Sequence, residues 1–273
     1  MLVQHLFGKQ KALVAMIHVR PLPGTPRWTG PLAAVVEQAV REARVLTEAG
    51  CDGLLIENMH DVPYLKGEVG PEIIAAMTAV GLAVRCAGPL PLGVQILAAA
   101  NRAALAVAQA CGAQFVRVEN FAYAHVADEG LMADAEAGPL LRYRRQIGAD
   151  GIAIMADIKK KHSSHAITAD IPLAEAAQTA GFFGADAVVV TGRATGQPTA
   201  AEDLAAVRSA MGVPVCVGSG VTPENLPALW SHADVFIVGS YLKVAGLWSN
   251  ELDAERVARL AAAVKRLRAA RAG

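Results

Sequence analysis

The segment Asp157-Ile158-Lys159-Lys160-Lys161-His162-Ser163-Ser164-His165 gathers an acid, three lysines and two histidines in nine residues. On a strand, alternation puts Asp157 and Lys159 on the same side, where they form a base and a cation. A lysine desolvated in such a place is also a candidate for a Schiff base with a carbonyl substrate. Three readings stay open for His162 and His165. They act as acid or base, they bind a divalent metal with Asp157, His18 or Glu57, or they are structural. No His-x-His or Glu-x-x-His pattern supports the metal. No metal ligand set or cofactor is therefore expected, and a metal-dependent hydrolase stands as an alternative.

A second cluster suits anion binding. Val215-Cys216-Val217-Gly218-Ser219-Gly220-Val221-Thr222-Pro223 runs from an apolar strand through glycines to a helix start, with Thr222 as N-cap and Pro223 at the first helical position. Ile237-Val238-Gly239-Ser240 ends another apolar run in a small pair. Glycines let backbone N–H groups approach a phosphate closely, so Gly218, Ser219, Gly220, Gly239 and Ser240 are the expected phosphate-binding residues. Lys243 would add a charge. The Thr191-Gly192-Arg193-Ala194-Thr195-Gly196 loop is too weak a match for a dinucleotide fingerprint.

These residues need elements to position them. An Ala-rich stretch ending in Gly, then Ala or Cys, then Asp, followed at once by an apolar run, occurs at Gly50-Cys51-Asp52, Gly148-Ala149-Asp150 and Gly184-Ala185-Asp186. Gly112-Ala113-Gln114 and Ala233-Asp234 are weaker copies. Glycine ends the helix in a left-handed turn, and an unbroken apolar run is a strand covered on both faces. Eight strands are predicted, over 13–19, 53–58, 93–97, 115–120, 152–158, 187–192, 213–218 and 235–240. Helices are predicted over 32–49, 72–80, 201–211 and 253–270, the last with a solvated basic face. Dividing 273 residues by eight gives about 34 per unit, which fits an α/β fold: one (β/α)₈ TIM barrel over residues 1–273.

In such a barrel the chemistry sits at the C-terminal ends of the strands. The predicted strand ends place His18, Glu57 and Glu119 there as partners of Asp157, Lys159 and His162 in proton transfer. Asn58, Asn120, Thr191 and Arg193 fall on the same rim as substrate contacts.

Composition excludes other classes. Lys plus Arg is 25 and Asp plus Glu is 25, whereas a nucleic-acid binder carries a basic excess. The chain is 53% hydrophobic and 18% charged, far from a disordered composition. Residues 88–116 carry only Arg102 as a charge, but Pro89, Pro91 and Gly93 break the stretch and argue against a membrane span. No secretion signal is visible, and the four cysteines form no CxxC pair. Buried free thiols, a cytoplasmic setting and a homo-oligomer are the expectations.

The motifs Met16-Ile17-His18-Val19-Arg20-Pro21-Leu22-Pro23-Gly24, Glu57-Asn58-Met59-His60-Asp61-Val62-Pro63 and Asp157-Ile158-Lys159-Lys160-Lys161-His162, continued by Gly218-Ser219-Gly220-Val221-Thr222 and Ile237-Val238-Gly239-Ser240, resemble the BtpA/SgcQ family in order and content. The resemblance runs from about Leu13 to Val264. It implies a TIM barrel of the ribulose-phosphate-binding type. Ala98-Ala99-Ala100 and Phe121-Ala122-Tyr123-Ala124-His125 point to a non-photosynthetic branch. The function expected is an enzyme of lyase, aldolase or isomerase type, acting on a small phosphorylated sugar- or nucleotide-like metabolite. The alternative implied by the family is a non-catalytic assembly factor, such as one for photosystem I biogenesis.

Overall fold

Each Gly-Ala-Asp turn closes a helix and launches a strand, and its last residue does a further job. Asp52 Oδ2 accepts a hydrogen bond from Leu13 N, Asp186 Oδ2 from Ile154 N, and Asp234 Oδ2 from Val215 N. The backbone N–H of each of these acids in turn donates to the carbonyl of the residue it binds. Gln114 does the same for Leu92 through Oε1. These amides lie at the lower edge of the sheet, and the carboxylate or amide oxygen satisfies them where the ladder has just begun. Asp150 is the exception, pairing with Arg145 at the surface.

The computed structural model describes residues 2–192 and 195–270. Its strands are, in chain order, Ala12–His18, Gly53–Glu57, Leu92–Gln95, Phe115–Val118, Ala153–Ile158, Ala187–Val190, Val215–Val217 and Val235–Val238. They pair in parallel with their neighbours, and the first closes on the eighth through Ala12 opposite Val235. The expected fold, a closed TIM barrel in one domain, is what forms. Helices Leu32–Glu48, Pro71–Ala87, Asn101–Cys111, Ala137–Gln146, Leu173–Phe182, Ala201–Ala210, Leu226–Leu229 and Ala254–Ala269 follow the strands in turn. Predicted and observed strands differ by at most two residues at either end.

Apolar side chains fill both faces of the sheet. Leu13, Ile56, Val94, Val116, Ile154 and Val188 pack outward against the helices. Val14, Met16, Leu55, Phe115, Met155 and Val189 fill the barrel. A Cβ at Gly93 would lie 2.1 Å from the Phe115 ring, so glycine there makes room for the largest side chain inside. The short helix Leu2–Phe7, which the sequence pattern did not reveal, plugs the bottom: the Phe7 and Phe115 rings meet edge to face at 5.7 Å.

The stretch 88–116 forms a strand and the helix Asn101–Cys111, as expected; other expectations are corrected. Among the described residues, no helix is long and apolar enough to cross a membrane. Cys86 is exposed, while Cys51, Cys111 and Cys216 are buried. Thr222 does cap a turn, its Oγ1 accepting from Glu224 N and Asn225 N, but the regular helix begins only at Leu226. The basic face of the last helix is not wholly solvated: Arg268 binds Asp52 and Arg256 binds the Tyr241 carbonyl. Above the barrel, His125–Ala127, Gly130–Met132 and Ser163–Ser164 form a small antiparallel sheet over one side of the mouth.

Candidate active site

The ends of the first two strands place His18 and Glu57 in register beside each other. Both are buried. His18 Nδ1 lies 2.9 Å from the Trp248 carbonyl. A carbonyl only accepts, so Nδ1 carries the proton and Nε2 presents a lone pair. Burial, helped by the Lys243 charge, lowers the His18 pKa to about 3. Burial also pushes the Glu57 carboxyl up to about 7, against the pull of Arg117 and Lys161. Glu57 is therefore poised to exchange a proton near neutrality.

Behind them, Arg117 from the fourth strand meets Asp157 from the fifth. Nε to Oδ1 and Nη2 to Oδ2 are both 2.9 Å, and each side chain is 1% exposed. Burial weakens the guanidinium's charge, but Asp157 outweighs it and keeps Arg117 protonated. Asp157, expected as a proton-transfer residue, thus has both oxygens committed to this pair. Gly218 leaves space for it, since a Cβ there would lie 2.6 Å from Val189 Cγ1 and 3.1 Å from Arg117 Nη2.

The three successive lysines diverge. The fifth strand stops at Ile158, and Lys159 takes a left-handed turn at φ 46°. Its Nζ donates to the carbonyls of Thr168 and Ile171. The expectation that Asp157 and Lys159 share one side fails because alternation ends with the strand. Lys160 is buried against Glu119 at 3.2 Å and Glu129 at 3.7 Å. Burial lowers its pKa, but the two glutamates outweigh that and hold it above the ordinary value. Lys161 turns into the mouth. Among the described residues its Nζ makes no hydrogen bond or ion pair. Burial and the Arg117 charge lower its pKa, although Glu57, Asp157 and Glu119 pull the other way.

The expected phosphate-binding residues come together. Gly218, Ser219, Gly220, Gly239 and Ser240 line one recess, whose inner wall is His18, Glu57 and Lys161. A Cβ at Gly239 would lie 2.8 Å from His18 Nε2, and one at Gly220 only 2.3 Å from the Gln197 carbonyl oxygen. At both positions glycine lets neighbouring groups approach more closely than any side chain would allow. A neighbouring cleft of about 200 Å³ shares Glu57, Met59, Lys161 and Thr195 with the recess and extends over Gln95, Glu119 and Trp248.

Other expected residues are placed elsewhere. Asn58 joins Asp61 and the Leu97 amide, tying loops together. Asn120 donates to the Asp134 carbonyl, with its Oδ1 buried and unpartnered. Thr191 has a buried Oγ1, unpartnered among the described residues, beside a larger cleft. Arg193 lies outside the described residues. Glu119 accepts from the Ala99 amide and from Lys160. His162 is exposed, its Nε2 accepting from Thr195 N while Nδ1 lies 3.7 Å from Asp128. Lys243 is not near the recess as a free cation: it binds both oxygens of Glu42 at 2.7 and 2.8 Å, almost wholly buried. Among the described residues, no group of three or more His, Cys, Asp or Glu lies together to hold a metal.

Arg117 was not among the expected site residues, although a charge inside the run Phe115-Val116-Arg117-Val118 was a signal: a lone cation facing a barrel interior needs an acid opposite. Lys161, not the expected Lys159, turns into the mouth. Nothing in the local sequence reveals the left-handed turn at Lys159 that turns Lys161 inward.

A closed parallel barrel with its polar side chains gathered at the C-terminal ends of the strands is a TIM barrel. The fold matches that of thiamine phosphate pyrophosphorylase from Pyrococcus furiosus, with a TM-score of 0.58, 14% identity and coverage of 98% of this chain and 99% of that one. The chain belongs to the BtpA family, whose model matches residues 9–266. It is 46% identical over 263 residues to an uncharacterised Caenorhabditis elegans protein labelled mitochondrial, covering 94% of each. It is 36% identical over 252 residues to the photosystem I biogenesis protein BtpA of Synechocystis, covering 92% of this chain and 87% of that protein.

Proposed function

We propose that this BtpA-family barrel is an enzyme of lyase, aldolase or isomerase type acting on a small phosphorylated sugar- or nucleotide-like metabolite. One observation carries the reading: the glycine loops after the seventh and eighth strands wall a recess whose inner side holds a near-neutral carboxyl, an imidazole lone pair and an amine. The loop amides and Ser240 hold the phosphate, and Lys161 supplies positive potential beside it. Glu57 moves the proton. His18, fixed by the Trp248 carbonyl, offers Nε2 as an acceptor to a substrate hydroxyl. Arg117 and Asp157 brace the barrel beneath, and the Arg117 charge tunes its neighbours.

The test is binding. Phosphorylated sugars and inorganic phosphate should raise the melting temperature, unphosphorylated sugars should not, and Ser240→Asp should abolish the shift by placing a carboxylate in the recess. Equal shifts with phosphorylated and unphosphorylated sugars, or a shift that survives in a folded Ser240→Asp variant, would refute the phosphate assignment.

A second reading, a non-catalytic assembly factor, is favoured by the exposed apolar pair Val126 and Leu131, opposite each other on the hairpin over the mouth. It expects Glu57→Gln to retain biological function in a complementation assay, and a Val126→Ser, Leu131→Ser double variant to lose it.

A further inference from the structure

We propose that Lys161 forms an imine with the carbonyl carbon of a phosphorylated hydroxy-carbonyl substrate whose phosphate lies in the glycine recess, so that the enzyme acts through covalent amine catalysis. This rests on the phosphate reading above and narrows it to one substrate class.

Lys161 lines the glycine recess, the cleft beside it and the larger cleft that runs over Thr191 and Gln197. A small molecule anchored by its phosphate in the recess must extend past Lys161 and Glu57, which line both the recess and the first cleft. Lys159 and Lys160 cannot take this part, one being held on loop carbonyls and the other between two glutamates. Lys161 is the lysine of this segment whose amine makes neither a hydrogen bond nor an ion pair among the described residues, whereas Lys159 donates to two loop carbonyls and Lys160 pairs with two glutamates. Attack needs a neutral amine, and burial beside the Arg117 cation favours that form.

The cleft specifies the rest of the substrate. Gln95 is 2% exposed and lines the cleft, and among the described residues its Oε1 has no hydrogen-bond partner. A buried amide oxygen left unpaired is costly, and a substrate hydroxyl satisfies it. Trp248, Met59 and Leu97 give the cleft apolar walls on one side.

The chemistry balances with the groups present. The neutral Lys161 amine adds to the carbonyl carbon to give a carbinolamine, the carbonyl oxygen taking up the amine proton. The Glu57 carboxylic acid protonates that hydroxyl, water leaves, and a protonated imine remains. The Glu57 carboxylate then accepts either an adjacent C–H proton or, in a retro-aldol cleavage, the β-hydroxyl proton as that oxygen becomes an aldehyde and the Cα–Cβ bond breaks. The electron pair of the broken C–H or C–C bond flows into the imine to give an enamine. Protonation of the enamine carbon and hydrolysis by water release product and restore the amine.

The experiment is reductive trapping. The full chain is incubated with dihydroxyacetone phosphate and cyanoborohydride, which reduces the iminium to a stable secondary amine, and the adduct is located by peptide mass spectrometry. The adduct should map to Lys161, persist in Lys159→Met, disappear in Lys161→Met and in Lys161→Arg, and be suppressed by inorganic phosphate. Dihydroxyacetone without phosphate should label about tenfold or more weakly, because the anchor raises the local concentration of the carbonyl. Two failures are distinguishable. If phosphate still raises the melting temperature but the label falls on Lys159 or spreads over surface lysines, the covalent role of Lys161 is wrong and the recess stands. If Lys161 is labelled equally with and without the phosphate group, and inorganic phosphate does not compete, the lysine stands as nucleophile but the phosphorylated substrate does not.

Discussion

Arg117 and Asp157 face each other inside the barrel, joined by two 2.9 Å hydrogen bonds between side chains that are each 1% exposed. A pair so deeply buried gains stability only while both members are present, since either alone leaves a charge without water or partner. Arg117→Met should therefore destabilise the fold by roughly 3–5 kcal/mol. Asp157→Leu should cost a similar amount, and the double variant should recover a large part of the loss. Urea unfolding of the three variants measures this, and strictly additive losses would show that the pair is not coupled.

Glu57 sets a pH dependence of stability. Its carboxyl is raised from 4.5 to about 7 by burial, so the folded state holds a proton that the unfolded chain has released across that interval. Its stabilising contribution is complete below pH 4.5 and is lost as pH rises through about 7. Glu57→Gln stays neutral throughout. Its stability relative to the parent should rise by up to about 3 kcal/mol between pH 4.5 and 8. Paired denaturation curves at several pH values would show the difference, and a constant offset between the two proteins would contradict it.

His18 behaves oppositely. With its pKa lowered to about 3, the folded state stays unprotonated where the unfolded chain takes up a proton below 6.5. Its share of stability is present at neutral pH and is lost as pH falls from 6.5 towards 3. NMR of ¹⁵N-labelled protein should show the Nδ1-protonated neutral ring from pH 5 to 8, without a titration step. A midpoint near 6.5 would mean that the ring is not buried in solution, since burial is the main cause of the lowering.

Lys243 should prove structural. Its ion pair with Glu42 is almost wholly buried, so Lys243→Met should cost roughly 3–5 kcal/mol of stability. Phosphate affinity in the folded fraction should be unchanged, as calorimetric titration below the melting point would show. A large loss of affinity would return Lys243 to the site.

Much of this was legible in the chain because it is local. The strand ends followed from the Gly-Ala-Asp turns, and the glycines of the recess from the two loops that contain them. Even the weaker copy Gly112-Ala113-Gln114 proved equivalent, since a glutamine oxygen accepts from Leu92 N as an aspartate does elsewhere. Asp157 was visible as an acid on the fifth strand, but its partner was not, because Arg117 lies 40 positions away on the neighbouring strand. Lys159 looked like the inward lysine only while the strand was taken to continue past Ile158.

The sequence by itself determined the alternation of strand and helix, the closure number of the barrel, and which loops carry glycine, because turns and apolar runs act over a few residues. Tertiary structure alone decided which charges cancel: Arg117 with Asp157, Lys160 with Glu119, and Lys243 with Glu42. Pairing depends on distance in space and on burial, which strengthens a charge's need for a partner. What those pairs leave over at the mouth, Glu57 and Lys161 beside the glycine recess, is a remainder that only the closed barrel could define.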